Sequence, residues 1–512
     1  MNKNYYITTP IYYPSAKPHM GHAYSSIVAD FFARFKRING YKVFFLTGTD
    51  EHGLKIQRAA EKNKKKPLEF CDEISQTFKE LSKTLNLSNN EFIRTTELRH
   101  HESVKKLWNI LEKKGEIYLS QYSGWYSVSD EAFYSDEEIE NKNGTKVSKT
   151  SGSLVEWVEE ESYFFKLSNW QEKLLKFYEK NPNFILPKSR KNEVVSFVKS
   201  GLKDLSVSRK SFSWGIQVPT NKDHVIYVWL DALTNYISAL NYPDTDNNLY
   251  KNYWPADLHM IGKDILRFHA VYWPAFLLAA DLPTPKRVYG HGWILSGEEK
   301  MSKSKGNILD PLEIINDYGL DQLRYYLLKE VSFGNDGNIS KEKLISCINS
   351  DLANNFGNLC QRVLSFTEKN LSLIVPNPEN FNNDDLKILN NFTNNYNELI
   401  EFVDNQNINS YMNFIVDQMF NGNKYFNDQE PWKKKNNQKR LNTIIYTSLE
   451  LIRKISILLY PVIPNASLKA LNIFNIKEKM INIETITNNK FLNPGEKINK
   501  INILFNKVDS ND

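Results

Sequence analysis

Two short stretches of the sequence carry side chains suited to phosphate chemistry. The first is His19-Met20-Gly21-His22, and the second is Lys300-Met301-Ser302-Lys303-Ser304, which lies between Gly297 and Gly306. Imidazole N–H groups donate hydrogen bonds to phosphate oxygens, and lysine supplies a compact charge on a flexible stem. Glycine on both sides would let the second loop close over a triphosphate. Each stretch also has a simpler interpretation, as a helix cap and as a solvated basic loop.

The elements around the first stretch are those that position a phosphate site. Tyr5–Thr9 is a β-branched and aromatic run that predicts a strand. Three prolines between residues 10 and 18 exclude a helix through the next segment. Apolar residues at helical spacing after Gly21 predict a helix to about Lys36. The unpaired backbone N–H groups at the start of such a helix bind anions.

Together the two stretches resemble the signature sequences of class I aminoacyl-tRNA synthetases. The first departs from its signature only at Met20, and the second matches at every position. Three further segments narrow the resemblance to methionyl-tRNA synthetases: Thr9-Pro10-Ile11-Tyr12-Tyr13, Gly48-Thr49-Asp50-Glu51-His52-Gly53 and Val228-Trp229-Leu230-Asp231-Ala232. The resemblance extends over nearly the whole chain and is weakest beyond about Lys477.

Composition sets broad bounds on the class of protein. A chain of 512 residues with 41% hydrophobic residues is expected to form several domains. The formal charge of +5 permits an RNA partner without arguing for one. Cys71, Cys347 and Cys360 form no Cys-x-x-Cys pair, which disfavours disulfide scaffolds and fits a reducing compartment. No apolar run reaches the roughly 20 residues of a membrane span, and the early strand leaves no room for a targeting peptide. We therefore expect a cytoplasmic protein that does not contact membranes.

The order of elements predicts an α/β protein. A doubly wound parallel, Rossmann-type catalytic domain carries a small β-rich insertion and is followed by an α-helical bundle. The catalytic domain is predicted in two halves, residues 1–115 and 225–295, around an insertion at 116–224. The resemblance makes the insertion a connective peptide, residues 296–350 the lysine loop and stem-contact fold, and residues 351–512 an anticodon-binding domain.

Several elements are predicted individually. Val225–Trp229 is predicted as a strand, and Ile265–Ala279 as one helix that Pro274 kinks. Residues 310–328 form a helical stretch. Trp432 follows Pro431 at the start of a helix.

The sequence of the insertion indicates whether the protein binds structural zinc. Many methionyl-tRNA synthetases bind zinc through a cysteine knuckle at this point, whereas Ser123–Asp130 contains no cysteine. The resemblance is therefore to the single-knuckle, zinc-free subgroup, and no structural zinc is expected.

The resemblance implies a two-step reaction. The carboxylate of methionine attacks the α-phosphorus of ATP, which is supplied with Mg²⁺, and the 3′ end of tRNA(Met) then takes the methionyl group for translation initiation and elongation. Because the substrates supply both nucleophiles, the protein need only position them and stabilise developing charge. The catalytic groups implied are His19, His22, Lys300 and Lys303.

Two further sets of residues match binding positions of the family. The set for ATP comprises Gly21, His22, Lys263, Asp264, Gly292, Trp293 and Lys303. The set for methionine comprises Ile11, Tyr13, Asp50, Trp229, Ala232, Leu233, Tyr236, Phe268, His269 and Trp273. Sulfur against an aromatic edge gains roughly 0.3–1.5 kcal/mol, which suits an aromatic pocket. Ordinary core packing is the alternative for each pocket residue, and a turn before a helix is the alternative for Lys263 and Asp264.

Asp50 and Arg209 match the family positions for the polar end of methionine. Asp50 follows a buried strand and would bind the α-ammonium group, with a helix cap as the alternative. Arg209 resembles the residue that holds this aspartate and the substrate carboxylate.

Three residues of the C-terminal region match anticodon-binding positions. Asn358 and Arg362 are four residues apart and share a helix face. Trp432 offers a stacking surface worth roughly 1–3 kcal/mol per base, and a buried contact beneath the next helix is the alternative.

Other functions fit the sequence less well. Synthetases for isoleucine, valine and leucine carry a larger editing insertion, and cysteinyl enzymes need metal thiolates. A small nucleotidyltransferase would end long before residue 350, and an inactive RNA-binding paralogue would not need both signatures. The chain ends without the β-barrel that dimerises many relatives, so a monomer is expected.

Lys303→Ala should reduce methionine-dependent pyrophosphate exchange by orders of magnitude, because the charge on the triphosphate would lose its partner. Exchange is measured with labelled pyrophosphate. Unchanged exchange would rule out this role for the loop.

Overall fold

The structure, a computed structural model, describes residues 3–130, 132–142, 144–296, 299–300, 310–500 and 502–509. Its strands are β1 Asn4–Tyr12, β2 Lys42–Thr49, β3 Glu91–Arg94, β4 Ile117–Ser127, β5 Ala132–Tyr134, β6 Ile139–Lys142, β7 Thr145–Ser148, β8 Glu156–Phe165, β9 Ile185–Leu186, β10 Leu205–Ser206, β11 Ser208–Arg209, β12 Gln217–Val218, β13 Asn221–Ile226, β14 Leu258–Gly262, β15 Val288–His291, β16 Ile294–Ser296, β17 Glu299–Lys300 and β18 Gly337–Ile339.

Its α-helices are α1 Met20–Ile38, α2 Leu54–Lys62, α3 Pro67–Thr84, α4 Leu98–Lys113, α5 Gln171–Lys180, α6 Lys188–Lys199, α7 Val228–Ser238, α8 Asn248–Tyr253, α9 Trp273–Ala279, α10 Pro311–Tyr318, α11 Leu320–Glu330, α12 Lys341–Cys347, α13 Asn358–Leu371, α14 Asn383–Asn394, α15 Tyr396–Asp404, α16 Ile408–Gln429, α17 Gln438–Leu459 and α18 Pro464–Asn472. None of the described helices is long and apolar enough to span a membrane.

The chain divides into two compact units. The sheet unit comprises residues 4–18 and 43–291, and the helical unit comprises residues 1–3, 19–42 and 292–512. The predicted fold class, a Rossmann-type domain followed by helices, is confirmed. The finer domain boundaries predicted from the sequence remain predictions.

The sheet unit is built on a six-stranded sheet in the order β3-β2-β1-β14-β15-β9. Strand β1 pairs in parallel with β14, and β14 with β15. The Asp50 amide donates to the Tyr12 carbonyl at 2.9 Å, so the carboxyl ends of β1 and β2 meet at one edge. The chain runs outward from β1 through β2 to β3 and then resumes on the other side with β14. This reversal between β1 and β14 is where open α/β sheets bind ligands.

The predicted insertion is rich in β structure. Strands β10, β8, β4 and β5 form an antiparallel sheet, and β6 pairs with β7. The β4–β8 pairing runs from Ile117 opposite Phe165 to Tyr126 opposite Glu156.

The structure corrects the strand predicted at Val225–Trp229. Strand β13 ends at Ile226, and α7 begins at Val228. Trp229, Ala232, Leu233 and Tyr236 recur at helical spacing, and this period prevails over the β-branched start of the segment.

The helix predicted over Ile265–Ala279 is helical throughout, but it is not a regular α-helix. A π-helical turn, Phe268–Tyr272, precedes α9, and Pro274 lies in the first turn of α9. Proline has no N–H to give to the Ala270 carbonyl, and the Tyr178 hydroxyl donates to that carbonyl at 2.7 Å instead. The irregular π-helical turn therefore precedes the proline.

In the helical unit, α1 packs with helices of the C-terminal half. Phe31 of α1 meets Tyr411 of α16 edge-on at 5.4 Å. The helical stretch predicted at 310–328 is divided by Gly319, whose φ of +102° favours glycine. Pro431–Lys433 forms a 3₁₀ turn, and the next α-helix starts only at Gln438, so Trp432 does not begin an α-helix as predicted.

A buried ion-pair cluster ties α1 to α11. Asp30 accepts hydrogen bonds from Arg34 and Arg324, both at 2.7 Å. Arg324 is fully buried and also donates to the Val462 carbonyl at 2.9 Å. Two buried guanidinium groups share this carboxylate. Its negative charge therefore compensates the positive charges that are buried beside it.

Asp30→Asn should destabilise the protein by about 3–5 kcal/mol, the usual cost of leaving a buried ion unpaired. The matched control is Asp428→Asn, which breaks an exposed pair with Lys424 at 3.4 Å and should cost at most about 0.5 kcal/mol. Thermal unfolding compares the two variants. Equal melting temperatures would contradict the role of Asp30.

Candidate functional site

His19 and His22 cap the N-terminus of α1 and form part of the helical unit. The Gly21 amide donates to His19 Nδ1 at 3.1 Å, and the His19 amide donates to His22 Nδ1 at 3.1 Å. The two rings lie 3.8 Å apart. The cap that was the simpler interpretation of this stretch is therefore present.

The cap determines which ring nitrogen can donate. A backbone N–H only donates, so Nδ1 of both rings is an acceptor, and the proton of each neutral ring is on Nε2. The first turn of α1 contains no acidic residue that would offset the positive end of the helix dipole. Capping and phosphate binding use different nitrogens, so the two interpretations are compatible.

Most of the second signature lies outside the described residues. This applies to residues 301–309 and thus to Lys303, while the backbone of Lys300 pairs in β17 with Leu295 of β16. Gly292 and Trp293 precede β16. A Cβ at Gly292 would lie 2.1 Å from the Asn335 carbonyl, and the Trp293 amide donates to Asp336 at 2.9 Å.

The carboxyl edge of the parallel sheet presents several predicted residues of the sheet unit. Ile11 lies near the end of β1 and Tyr13 follows it, while Lys263 and Asp264 form a 3₁₀ turn after β14. A Cβ at Gly262 would lie 2.6 Å from Asp264 Oδ1, so glycine allows the carboxylate to lie against the backbone. These residues lie at the switch point between β1 and β14, as a nucleotide or amino-acid site requires.

Five of the residues predicted to bind methionine form an aromatic cluster: Trp229, Tyr236, Phe268, His269 and Trp273. Trp229 of α7 stacks on Phe268 with ring centroids 3.7 Å apart and planes 6° apart. The ring centroid of Tyr236 lies 5.7 Å from that of His269 and 6.2 Å from that of Trp273. Ala232 and Leu233 of α7 are buried. The indole nitrogens of Trp229 and Trp273 are buried with no partner in the part of the chain that the structure describes.

Hydrogen bonds orient the polar side of this cluster. His269 Nδ1 lies 3.0 Å from the Ile265 carbonyl, which only accepts, so Nδ1 carries the proton. Burial lowers the pKa of His269 to about 4, which keeps the ring neutral. Its Nε2 therefore accepts from the Tyr236 hydroxyl at 2.7 Å. His269 thus holds the Tyr236 hydroxyl in a fixed orientation.

Asp50 is buried and does not cap a helix. The N-cap of α2 is Gly53, which makes no side-chain cap bond. The helix-cap alternative for Asp50 is therefore wrong, and the carboxylate lies at the carboxyl edge of β2.

The residues on either side of Asp50 hold its loop in place. The Glu51 carboxylate accepts from Arg94 at 2.7 and 2.9 Å and from Thr96 at 2.6 Å. The Glu51 carbonyl accepts from the Trp214 indole at 2.5 Å. Sequence reasoning assigned no role to these side chains, although Glu51 lies in a motif it had singled out.

His52 connects the same loop to α7. His52 Nδ1 lies 2.6 Å from Asp231 Oδ2, and His100 Nε2 lies 2.7 Å from Asp231 Oδ1. Burial raises the pKa of Asp231, but the two histidines lower it more, so the carboxyl stays ionised. Asp231 lies in the segment Val228–Ala232, one of those that carry the family resemblance. Only the fold brings His100 of α4 to it.

Arg209 lies in the insertion against aromatic rings. Its guanidinium donates to the Ser206 hydroxyl at 2.9 Å and lies 4.0 Å from the centroid of the Phe133 ring. None of its partners within the described ranges is Asp50. Its Nε lies 3.6 Å from the Glu160 carboxylate, and its Nη2 is buried with no partner there, which leaves the N–H groups of Nη2 for a further acceptor.

The three predicted anticodon residues lie in the helical unit. Asn358 donates to Asn423 at 3.1 Å, and Arg362 donates to Asn427 at 2.6 Å. Trp432 is 42% exposed, which argues against the buried alternative, and its ring is 6.1 Å from that of Phe426. Arg362 lies 5.2 Å from the same Phe426 ring.

Within the described ranges, no group of three or more histidine, cysteine, aspartate or glutamate side chains is arranged to hold a metal ion. Cys71, Cys347 and Cys360 are buried and free.

A parallel sheet with a switch point beside β1 and, next along the chain, a helix capped by histidines fit a class I aminoacyl-tRNA synthetase. Residues 5–364 match the family model described as tRNA synthetases class I (M), and residues 375–512 match that of the anticodon binding domain of methionyl tRNA ligase.

Relatives with full-length similarity narrow the class. The chain is 50% identical over 475 residues to the methionine–tRNA ligase of Brucella suis biovar 1 (93% of this chain, 92% of that one). It is 48% identical over 513 residues to that of Rickettsia conorii (99% and 100%). A structure of Mycobacterium tuberculosis methionyl-tRNA synthetase in complex with methionyl-adenylate matches with a TM-score of 0.96 and 45% identity, over 98% of this chain and 99% of that one. The chain belongs to the methionyl-tRNA synthetase family.

Tyr236→Phe should raise the KM for methionine about tenfold, because His269 would lose its donor and the polar side of the cluster its orientation. The KM for ATP should not change. The control is Tyr250→Phe, which removes a buried hydroxyl that has no partner among the described residues. Pyrophosphate exchange at varied methionine measures both variants, and equal behaviour would contradict the role of Tyr236.

Proposed function

We propose that this chain is a methionine–tRNA ligase. It activates methionine with ATP to methionyl-adenylate and pyrophosphate, and it transfers the methionyl group to the 3′ end of tRNA(Met). The observation that carries the proposal is the near-full-length identity of about half to methionine–tRNA ligases. The product serves translation initiation and elongation.

Methionine recognition is proposed for the aromatic cluster and the loop that follows β2. The thioether would lie against Trp229, Phe268 and Tyr236, since polarisable sulfur gains from aromatic contact. The α-ammonium group would bind the Asp50 carboxylate. The unpartnered Nη2 of Arg209 supports a role in binding the substrate carboxylate. Ile11, Tyr13, Ala232, Leu233, His269 and Trp273 complete the proposed set.

ATP recognition is proposed for the two signatures and the switch point. The backbone at Gly21 and the Nε2–H groups of His19 and His22 would donate to phosphate oxygens. Lys300 and Lys303 would balance the charge that develops as pyrophosphate leaves. ATP enters as its Mg²⁺ complex, and Lys263, Asp264, Gly292 and Trp293 would hold the nucleoside. No protein nucleophile is needed, because the methionine carboxylate attacks phosphorus directly.

The helical unit would bind the anticodon through Asn358, Arg362 and Trp432. Two amide or guanidinium donors beside an exposed indole suit unstacked bases. We further propose that the protein contains no structural zinc, acts as a monomer and functions in the cytoplasm. A single chain holds candidate residues for all three substrates, and the cysteine-free segment Ser123–Asp130 supports the absence of zinc.

Pyrophosphate exchange assayed separately with every proteinogenic amino acid tests the reaction. We expect exchange with methionine alone, followed by charging of a tRNA(Met) transcript. Exchange with another amino acid would overturn the substrate, and exchange with none would overturn the activity.

Trp432→Ala should reduce charging of tRNA(Met) about tenfold or more while leaving pyrophosphate exchange intact, because a stacked base is worth roughly 1–3 kcal/mol. The two activities are measured on the same preparation. An equal loss of both would mean that Trp432 is structural.

A further inference from the structure

An aromatic ring that the sequence did not single out stands exposed on α16. Phe420 is 64% exposed, more than any other aromatic side chain in the part of the chain that the structure describes. A lone exposed apolar residue needs no explanation by itself. The neighbours of Phe420 on α16, however, contact the candidate anticodon residues.

Phe420 shares its helix face with the contacts of the candidate anticodon residues. Asn423, Lys424 and Asn427 follow it by three, four and seven positions and therefore lie on the same face. Asn427 accepts from Arg362, and Asn423 accepts from Asn358. Phe420 thus lies on the same helix face as Asn423 and Asn427, one turn before Asn423.

The side chains beside Phe420 present hydrogen-bonding groups and charges of both signs. Asn423 Nδ2 donates to Asn355 Oδ1 at 2.8 Å, so the amides of Asn358, Asn423 and Asn355 link α16 to α13 and to the segment before it. Lys424 is exposed and lies 3.4 Å from Asp428. Asp417, three positions before the ring, and Asp428, which pairs with Lys424, are the acidic neighbours, so the ring and the amides would carry the contact with RNA bases. An exposed ring flanked by amides and a lysine is typical of single-stranded RNA surfaces.

The spacing along α16 favours different bases at Phe420 and at Arg362. Seven helical residues from Phe420 to Asn427, the partner of Arg362, cover about 10 Å along the axis. Stacked nucleotides are about 3.4 Å apart along one strand. A base on Phe420 is therefore a different nucleotide from the one at Arg362.

We propose that Phe420 is a second stacking platform for the anticodon loop and holds a nucleotide other than the one at Trp432 and Arg362. This inference rests on the proposed anticodon-binding function of the helical unit. It extends that function from one aromatic contact to two.

Binding of an RNA stem-loop with the anticodon arm of tRNA(Met) tests the proposal. Phe420→Ala should raise its Kd at least about fivefold, Phe420→Leu should behave like alanine, and Phe420→Trp should restore binding. Leu386→Ala, at an exposed apolar residue of α14, is the matched control and should change nothing. Pyrophosphate exchange should be equal in all variants.

Stem-loops that lack one base at a time locate the contact. The effect of Phe420→Ala should vanish when one particular base is missing, and that base should differ from the one whose removal cancels the effect of Trp432→Ala. Additive effects at every loop position would overturn the proposal, as would full binding by Phe420→Leu. A changed sedimentation mass of Phe420→Ala without RNA would assign the ring to a contact between copies and would also overturn it.

The same variants distinguish a failure of the second platform from a failure of the whole anticodon site. If Trp432→Ala and Arg362→Ala weaken binding while Phe420→Ala does not, only the second platform fails. If none of the three variants weakens binding, the proposed anticodon site fails with it.

Discussion

The buried carboxylate of Asp231 holds together three elements of the sheet unit. It pairs with His52 in the loop after β2 and with His100 in α4, and it lies itself on α7. A buried carboxylate without such partners would be costly, so the relative positions of these elements are closely restricted. Because α7 carries Trp229 and Tyr236, and His52 lies two residues from Asp50, one interaction positions both proposed ends of the methionine site.

The backbone decides what each histidine can do. At His269 a carbonyl faces Nδ1 and makes it a donor, so Nε2 accepts from Tyr236. At His19 a backbone N–H faces Nδ1 and makes it an acceptor, so the ring proton is on Nε2. The same residue type therefore orients a tyrosine in one place and offers a donor at a helix N-terminus in another.

In the helical unit, the helix that His19 caps is anchored through Asp30. The carboxylate holds Arg34 of the same helix and Arg324 of α11, and Arg324 reaches the carbonyl of Val462. A rigid α1 keeps the capped N-terminus in a fixed orientation within this unit, as a site that works by positioning requires.

The sequence by itself determined the fold class, the family resemblance and most elements, because β-branched runs, helical periods and prolines act locally. It also brought out Trp229 and Tyr236, which share a helix face through spacing alone. Tertiary structure decided the rest. Only the fold brings His100 to Asp231, turns Nδ1 of His269 towards a carbonyl and places α1 among the C-terminal helices. It also ends the strand predicted through Trp229 at Ile226, and it places a π-helical turn before Pro274, where Tyr178 satisfies the carbonyl that proline leaves. These features depend on partners far along the chain, and a local pattern carries no information about which distant group will satisfy a buried charge or carbonyl.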